Sequence, residues 1–233
     1  MRRRDFLAAT VTFSTAVVAS TFPGIRSSFA GSSRANRSLK PIILLRSGLD
    51  TPAMAALTRT LADIGARRQT ELKVAPVTTF DPAGLQHELR QWQGTRLVGV
   101  MDTATQVLLE ETLRDLGSTI LCTGTHRGDP TLTGPSRHHF SSAPAASRIG
   151  NAMAAVLTAS SHDYCITEIA TGISQRSASG FSSISPEQNW AEAVGTVLAM
   201  AATDTWCPGM AIRGMASGSL AGKLFFNSLV ADI

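Results

Sequence analysis

Apolar residues in the first half of the chain fall into short continuous runs separated by helically spaced sets. The segments 40–46, 72–77, 96–102 and 118–124 are apolar runs bounded by polar residues or glycine, a pattern typical of strands buried on both faces. Between such runs, as over 52–64, apolar residues recur every three or four positions, the spacing of a helix with one buried face. This alternation predicts parallel βαβ units with right-handed crossovers.

Capping residues support the predicted helix boundaries. Thr51 stands before a proline at the first helical position, and Gly65 closes that helix. Asp102 precedes a second strong helix over 105–116, which ends at Gly117.

The second half of the chain is less regular. Residues 126–143 carry loop signals, with His138 and His139 in a short strand. The Ser- and Gly-rich stretch 171–183 predicts a long surface loop, a kind of segment that is often functional. The other predicted elements are helices over 82–92, 145–158 and 185–201 and strands over 164–169 and 224–230.

Together these elements predict a single α/β domain over 40–233. We expect a three-layer sandwich around a mostly parallel, Rossmann-like sheet of about five to seven strands. The polar stretch 31–39 predicts a flexible linker ahead of that domain.

The N-terminus has the pattern of an export signal. Arginines at 2–4 precede a mildly hydrophobic stretch that ends at Phe22, which suits a signal peptide rather than the ~20 apolar residues of a membrane span. Ser28 and Ala30 are small residues at the positions that signal peptidase reads. We therefore expect cleavage after Ala30, removal of 1–30, and no stable membrane anchor.

The run Arg3-Arg4-Asp5-Phe6-Leu7 resembles the twin-arginine motif, in which two arginines precede a variable residue, a Phe and a Leu. The sequence departs from that motif at Arg2, where Ser or Thr is usual, and at Ala8, where Lys is common. The resemblance implies transport by the twin-arginine translocase, processing by signal peptidase and a periplasmic location. It also implies export in the folded state, which often accompanies a cofactor.

Removing the leader changes the charge of the protein. The full chain has 21 Lys and Arg against 17 Asp and Glu. Residues 1–30 contain four arginines and one aspartate, which leaves 17 basic and 16 acidic side chains in the mature part. Such a nearly neutral protein gives no electrostatic reason to expect nucleic acid or an anionic membrane as its partner.

Three cysteines, Cys122, Cys165 and Cys207, remain in the mature part. An oxidising compartment permits one disulfide among them. We favour Cys165 with Cys207, because Cys207 lies in a turn flanked by Pro and Gly, although spacing alone does not fix the connectivity. The absence of a CxxC pair gives no dedicated zinc or redox motif.

Ligands of open parallel sheets bind in the crevice at the carboxyl ends of the strands. Residues that follow the predicted strands therefore form the candidate ligand site. These residues are Ser47, Gly48, Asp102, Thr125 and His126. His138, His139 and the polar loop over 174–183 are the further candidates to complete this site.

Asp102 and His126 carry the chemistry of greatest interest. At neighbouring strand ends, a carboxylate and an imidazole suit a metal ion or an acid–base pair. The alternative is that Asp102 caps the following helix and His126 is a loop residue. His138 and His139 are adjacent on a strand and point to opposite faces, so we expect at least one of them to be exposed.

The mature part contains no GxGxxG, Walker, GxSxG or HExxH motif and no family signature. The leading hypothesis is an exported, non-catalytic binding or accessory protein for a small ligand or a metal ion. The second is a cofactor- or metal-assisted enzyme that uses Asp102 and His126. The third is an assembly partner in a periplasmic complex, with 171–183 as its contact.

Overall fold

The computed structural model describes residues 40–46, 48–49, 51–76, 81–128, 135–144, 149–159, 163–170, 175–180, 190–205 and 224–233. Its helices are α1 (Pro52–Arg68), α2 (Pro82–Gln91), α3 (Thr103–Asp115), α4 (Ile149–Ala159) and α5 (Trp190–Ala202). Its strands are β1 (Ile42–Arg46), β2 (Leu72–Pro76), β3 (Arg96–Met101), β4 (Thr119–Gly128), β5 (Ser136–Ser142), β6 (Tyr164–Ala170), β7 (Gln175–Gly180) and β8 (Leu224–Asp232). The expected leader and linker, 1–39, lie outside these ranges. Within the ranges, every helix is too short or too polar to cross a bilayer.

The described strands form one mixed sheet in the order β2-β1-β3-β8-β4-β5-β6-β7. β1 pairs in parallel with β2 and β3, and β5 pairs in parallel with β6, but the other neighbours are antiparallel. The expected α/β character is confirmed, whereas the expectation of a mostly parallel sheet with fewer strands is wrong. The main reason is β8, which the C-terminus inserts antiparallel between β3 and β4.

Helices cover both faces of the sheet around β1 and β3. On one face, Leu57 and Leu61 of α1 join a core to which α4 and α5 also contribute. On the other face, Leu89 of α2 and Leu109 of α3 pack with residues of β1, β3 and β8. A strand between two apolar layers must be apolar on both sides, which explains the continuous apolar runs of β1 and β3.

A charged cluster ties β8 and the end of α5 to the start of β3. Arg96 and Asp232 are register partners in the antiparallel pair of β3 with β8. The Nε of Arg96 donates to Asp232 Oδ1 at 2.6 Å, and its Nη1 donates to the carbonyl of Ala202 at 3.2 Å. The same Nη1 lies 3.2 Å from Asp204 Oδ2. This cluster helps to fix the direction and register of β8.

Strands β4 to β7 form the other half of the sheet. In β5, every second residue from Ser136 to Ser142 is buried and those between are exposed, as in a strand with one covered face. β7 pairs antiparallel with β6 at the sheet edge. The stretch 171–183, which we expected to be a loop, therefore contains a strand. Its Ser- and Gly-rich sequence gave no apolar signal, because the pairing is made by the backbone.

Glycine sets the distance between α1 and α5. A Cβ atom on Gly195 would collide with the carbonyl oxygen of Ala53 and the amide nitrogen of Leu57. Both of those groups belong to the backbone and do not yield as a flexible side chain would. The close contact of the two helices therefore depends on the missing side chain.

Candidate functional site

The carboxyl ends of β1, β3 and β4 lie at one edge of the sheet. These strands point the same way, because β8 is antiparallel to both β3 and β4. The chain leaves β1 for β2 through α1 on one face and returns to β3 through α2 on the other. The strand order thus reverses between β1 and β3, and the crevice at such a reversal is the usual ligand site of α/β sheets. We use the name switch crevice for the stretch of this edge that runs from Gly48, after β1, past Asp102 and Thr103, after β3, to Asn227 of β8 and Thr125 of β4.

Gly48 forms the β1 side of the switch crevice. Its φ is 78°, and a side chain placed there would meet nothing within 4 Å. Glycine is therefore favoured by the turn, and the backbone stays open to a ligand. Thr51 follows and caps α1, its Oγ1 accepting a hydrogen bond from the amide of Met54 at 3.2 Å. Ser47, another candidate, lies outside the described residues.

Asp102 forms the β3 side of the switch crevice and caps α3. Its Oδ1 accepts from the amide of Thr105 at 2.8 Å, and its Oδ2 accepts from the Thr105 hydroxyl at 3.0 Å. The backbone hydrogen bond from Thr105 is the main cause that holds the pKa of Asp102 below its usual value. Asp102 is thus a charged helix cap, the role that the sequence offered as the alternative.

The next strand along this edge after β3 is β8. Asn227 is 1% exposed, and its Nδ2 donates to the Oγ1 of Thr103 at 2.9 Å. Its register partners are Met101 of β3 and Thr125 of β4. Thr125 is half-buried. Thr125 and His126 lie within β4, which continues to Gly128, and not in a loop after the strand as expected. Thr125 lies beside the buried amide of Asn227.

Asp102 and His126 share an edge of the sheet but do not form a pair. Strand β8 lies between β3 and β4, so the two backbones are about 10 Å apart at the usual strand spacing. Asp102 caps α3 on one face. His126 packs on the other face against Phe140 and Phe226, with ring centroids 5.1 and 5.2 Å away.

His126 belongs to a buried row of polar side chains across β8, β4 and β5. Ser228 Oγ lies 2.8 Å from His126 Nε2, and His126 Nδ1 lies 3.1 Å from His138 Nδ1. The Nε2 of His138 lies 2.9 Å from Ser136 Oγ, which donates to the carbonyl of Asp163 at 3.2 Å. The four side chains are at most 5% exposed. We name these four residues the histidine row.

The directions of the hydrogen bonds in the histidine row follow from its end. The one hydroxyl proton of Ser136 is donated to the carbonyl oxygen of Asp163. Ser136 Oγ therefore accepts the Nε2 proton of His138. The Nδ1 of a neutral His138 then accepts from His126 Nδ1, and the Ser228 hydroxyl donates to His126 Nε2. Burial is the main cause that lowers the pKa of His126 well below its usual value and that of His138 to about 3. Both rings are therefore neutral at pH 7.

The groups of the histidine row follow the same order as those around an activated serine nucleophile, but the serine is not accessible to a substrate. A serine hydroxyl that donates to a histidine, itself oriented by a third group, is the arrangement of a catalytic triad. Ser228, however, is 0% exposed, and neighbouring Phe226 is stacked under Trp190 at 5.5 Å between centroids. The row therefore satisfies buried polar groups and presents no nucleophile to a substrate.

Among the described residues, no group of three or more His, Cys, Asp or Glu side chains is arranged to hold an ion. Both ring nitrogens of His126 are occupied by hydrogen bonds, and both carboxylate oxygens of Asp102 accept bonds from Thr105.

The cysteines occupy different environments. Cys122 is buried on β4, and burial raises the pKa of its thiol to about 12. Cys165 is exposed on β6. Cys207, the expected partner of Cys165, lies outside the described residues, within which no disulfide is present.

Sequence reasoning missed the polar residues that face the core. It did not single out Asn227, Ser228 or Ser136. The alternating pattern of β5 contained a sequence signal, because Ser136 and His138 lie on the same face of the strand as Phe140. Polar residues on such a face, however, usually indicate solvent.

The expectation that one of His138 and His139 is exposed is confirmed, since His139 is exposed and His138 is 0% exposed. No family model, no curated protein and no solved structure matches this chain.

Proposed function

We propose that the mature protein is a periplasmic, non-catalytic binding protein that holds a small polar ligand in the switch crevice. The observation that carries the proposal is the reversal of strand order between β1 and β3, where α1 and α3 both begin. Such reversals open a crevice between neighbouring strands, and helix N-termini supply free backbone N–H donors beside it.

The groups around the crevice suit a ligand with several hydrogen-bonding positions. Asp102 brings a negative charge, Thr103 and Thr125 bring hydroxyls, and Gly48 leaves the backbone approachable. Small-molecule sites commonly combine a few fixed polar groups of this kind.

A binding role is favoured over catalysis by what the two most reactive candidates already do. Asp102 caps α3, and His126 is neutral, buried and hydrogen-bonded at both ring nitrogens. Neither group is free to exchange protons with a molecule in the crevice.

Native mass spectrometry with elemental analysis, on protein purified from the exported fraction, tests the proposal. We expect a small molecule bound to each chain and partial loss of that mass in Gly48→Asn, since Asn tolerates a positive φ and adds a side chain at the β1 end of the proposed site. Gly94→Asn is the matched control: Gly94 has a φ of 80° and equally open surroundings, but lies at the opposite edge of the sheet. Retention of the ligand in Gly48→Asn, or equal loss in both variants, would overturn the assignment.

Asp102→Asn separates a polar ligand from a metal ion. Asn caps a helix about as well as Asp, so the fold is kept while the crevice loses its charge. We expect binding of an uncharged ligand to change about threefold or less, roughly the loss of one weak hydrogen bond. A metal detected in the wild-type protein and lost from this variant would instead favour the metal-assisted enzyme.

A further inference from the structure

The sheet has one broad surface that no described helix covers. The second core, built by α2 and α3, involves β1, β3 and β8 but no fully buried residue of β5, β6 or β7. The outward side chains beyond it are therefore exposed or half-buried. We name this surface the open face and define it by Arg127, Arg137, His139, Thr167, Ile169 and Phe225.

The open face concentrates positive charge in a protein that is otherwise nearly neutral. Arg127 and Arg137 are direct register partners in the antiparallel pair of β4 with β5. Both are exposed, and neither has an ion pair with a described residue. Like charges placed directly opposite each other destabilise a sheet unless an anion lies between them. His139 follows on the same face, and none of the described strand residues that point outward there is acidic.

Apolar side chains flank this charge. Phe225 is the β8 register partner of Arg127 and is 54% exposed. Ile169 of β6 is also 54% exposed. Aromatic residues and arginine are the types most enriched where proteins bind one another. The open face therefore combines charge recognition with two apolar anchors.

The size of the open face limits what fits it. The face spans β8 to β7, and at usual strand spacing and rise it measures roughly 20 by 15 Å. At the usual rise per residue, about five or six residues of extended chain cover this length, so the face matches a short extended segment in size. A second copy of this chain is disfavoured, because two such faces would bring four guanidinium groups together.

We propose that the open face binds an extended acidic segment of a partner protein, with Arg127 and Arg137 holding its carboxylates and Phe225 contacting an apolar side chain. Guanidinium groups bind carboxylates through paired, charge-assisted hydrogen bonds. A bound carboxylate also removes the repulsion between the two arginines. This surface adjoins the switch crevice but is independent of it, so the proposal stands whether or not a small ligand binds there.

Fluorescence anisotropy with a labelled deca-glutamate peptide tests the proposal on the mature protein. We expect salt-sensitive binding that weakens by about tenfold or more in the double variant Arg127→Gln, Arg137→Gln, the loss expected for two charge-assisted contacts. The control is Arg68→Gln, Arg90→Gln, which removes the same charge from exposed helix ends and should leave the affinity within about twofold, as expected for a rim charge screened by salt. Equal weakening in both double variants would show that the peptide responds only to the net charge of the protein, and would overturn the proposal.

Further measurements distinguish the other occupants. A leucine placed in the middle of the peptide should strengthen binding, and Phe225→Ala should abolish only that gain. Gly48→Asn should leave peptide binding unchanged, which separates this surface from the switch crevice. Binding of phosphatidylglycerol vesicles in place of the peptide, or dimerisation in sedimentation runs that Arg127→Gln abolishes, would show a lipid surface or a second copy as the occupant and overturn the proposal. Unfolding midpoints of the Arg127→Gln, Arg137→Gln variant at or above wild type would exclude a structural cause.

Discussion

The two halves of the sheet bury different kinds of side chain. Around β1 and β3, the buried residues are aliphatic, as with Ile43, Leu45 and Leu97. In the half made by β4 to β6, and in the adjoining β8, imidazoles, hydroxyls and a carboxylate are buried among the apolar residues. These polar groups are His126, His138, Ser136, Ser142, Ser228 and Glu168, together with the amide of Asn227.

The difference changes what stabilises each half. Burial of aliphatic side chains is stabilising in proportion to area and does not depend on protonation. A buried polar group is tolerated only while its hydrogen bonds are made and its charge is absent or balanced. In the polar half, the Ser142 hydroxyl donates to Glu168 Oε1 at 2.8 Å, and the histidine row requires neutral rings. The hydrogen bonds of the polar half therefore define its register, but they make its stability depend on pH.

The largest expected effect is acid destabilisation through the histidine row. The pKa values of both histidines are lowered in the folded state, chiefly by burial. Below pH 6.5 the unfolded chain therefore binds protons that the folded chain does not. Stability is full above that pH and falls below it by about 1.4 kcal/mol per pH unit for each histidine. At pH 5 His138 alone removes about 2 kcal/mol, and its loss continues toward its folded pKa of about 3. His126 adds a loss in the same direction, because its pKa is also lowered by burial.

Urea unfolding between pH 6.5 and pH 5 measures this slope, in a range above the usual pKa of carboxylates. His138→Gln should remove about half of the slope, even if the variant is less stable at every pH. The control is His139→Gln, since His139 is exposed on the opposite face of the same strand. A wild-type stability that stays flat over this range, or a slope unchanged in His138→Gln, would contradict the neutral histidine row.

The next effect belongs to the apolar half. Leu45 is 0% exposed, and Leu45→Ala should reduce the free energy of unfolding by about 3 kcal/mol through lost burial and a cavity. Ile169→Ala, at a side chain that is 54% exposed on the open face, should change it by less than about 0.5 kcal/mol. Urea midpoints at pH 7 and pH 5 give both values. The loss in Leu45→Ala should be equal at the two pH values, and a pH-dependent loss would contradict the separation of the two halves.

The same contrast explains what the sequence could predict. The apolar half was predictable because its physics is local: the runs of β1 and β3 carry the two-sided burial in their composition, and Thr51 and Asp102 mark helix starts. The position of β8 was not predictable. Its apolar run looks the same whichever neighbours it has, and its antiparallel direction depends on long-range groups such as Arg96 and Asp232.

The structure of the polar half could not be predicted from sequence patterns for a different reason. β7 has the sequence of a loop and is a strand only because β6 offers a partner. The edge shared by Asp102 and His126 follows from the direction of the strands and was predicted. Their separation was not, because it depends on β8 and on the face that each side chain takes.

The smallest effect tests the junction between the halves, where Asp102 ends β3 and caps α3. Asp102→Ala removes two hydrogen bonds from Thr105 and should cost about 1 kcal/mol of unfolding free energy, whereas Asp102→Asn should cost only a few tenths. Asp81→Ala is the matched control. Asp81 caps α2 through a single bond to the amide of Ala83 at 3.1 Å, so its loss should be smaller.

Because the pKa of Asp102 is lowered in the folded state, its stabilisation is present above the unfolded pKa of about 3.9 and is lost as the pH falls below it. Urea midpoints at pH 7 and pH 5, both above that pKa, should therefore show the same difference between wild type and Asp102→Ala. Equal losses in the two alanine variants at both pH values would mean that Asp102 contributes nothing beyond an ordinary exposed cap, and that the crevice can spare its carboxylate for a ligand.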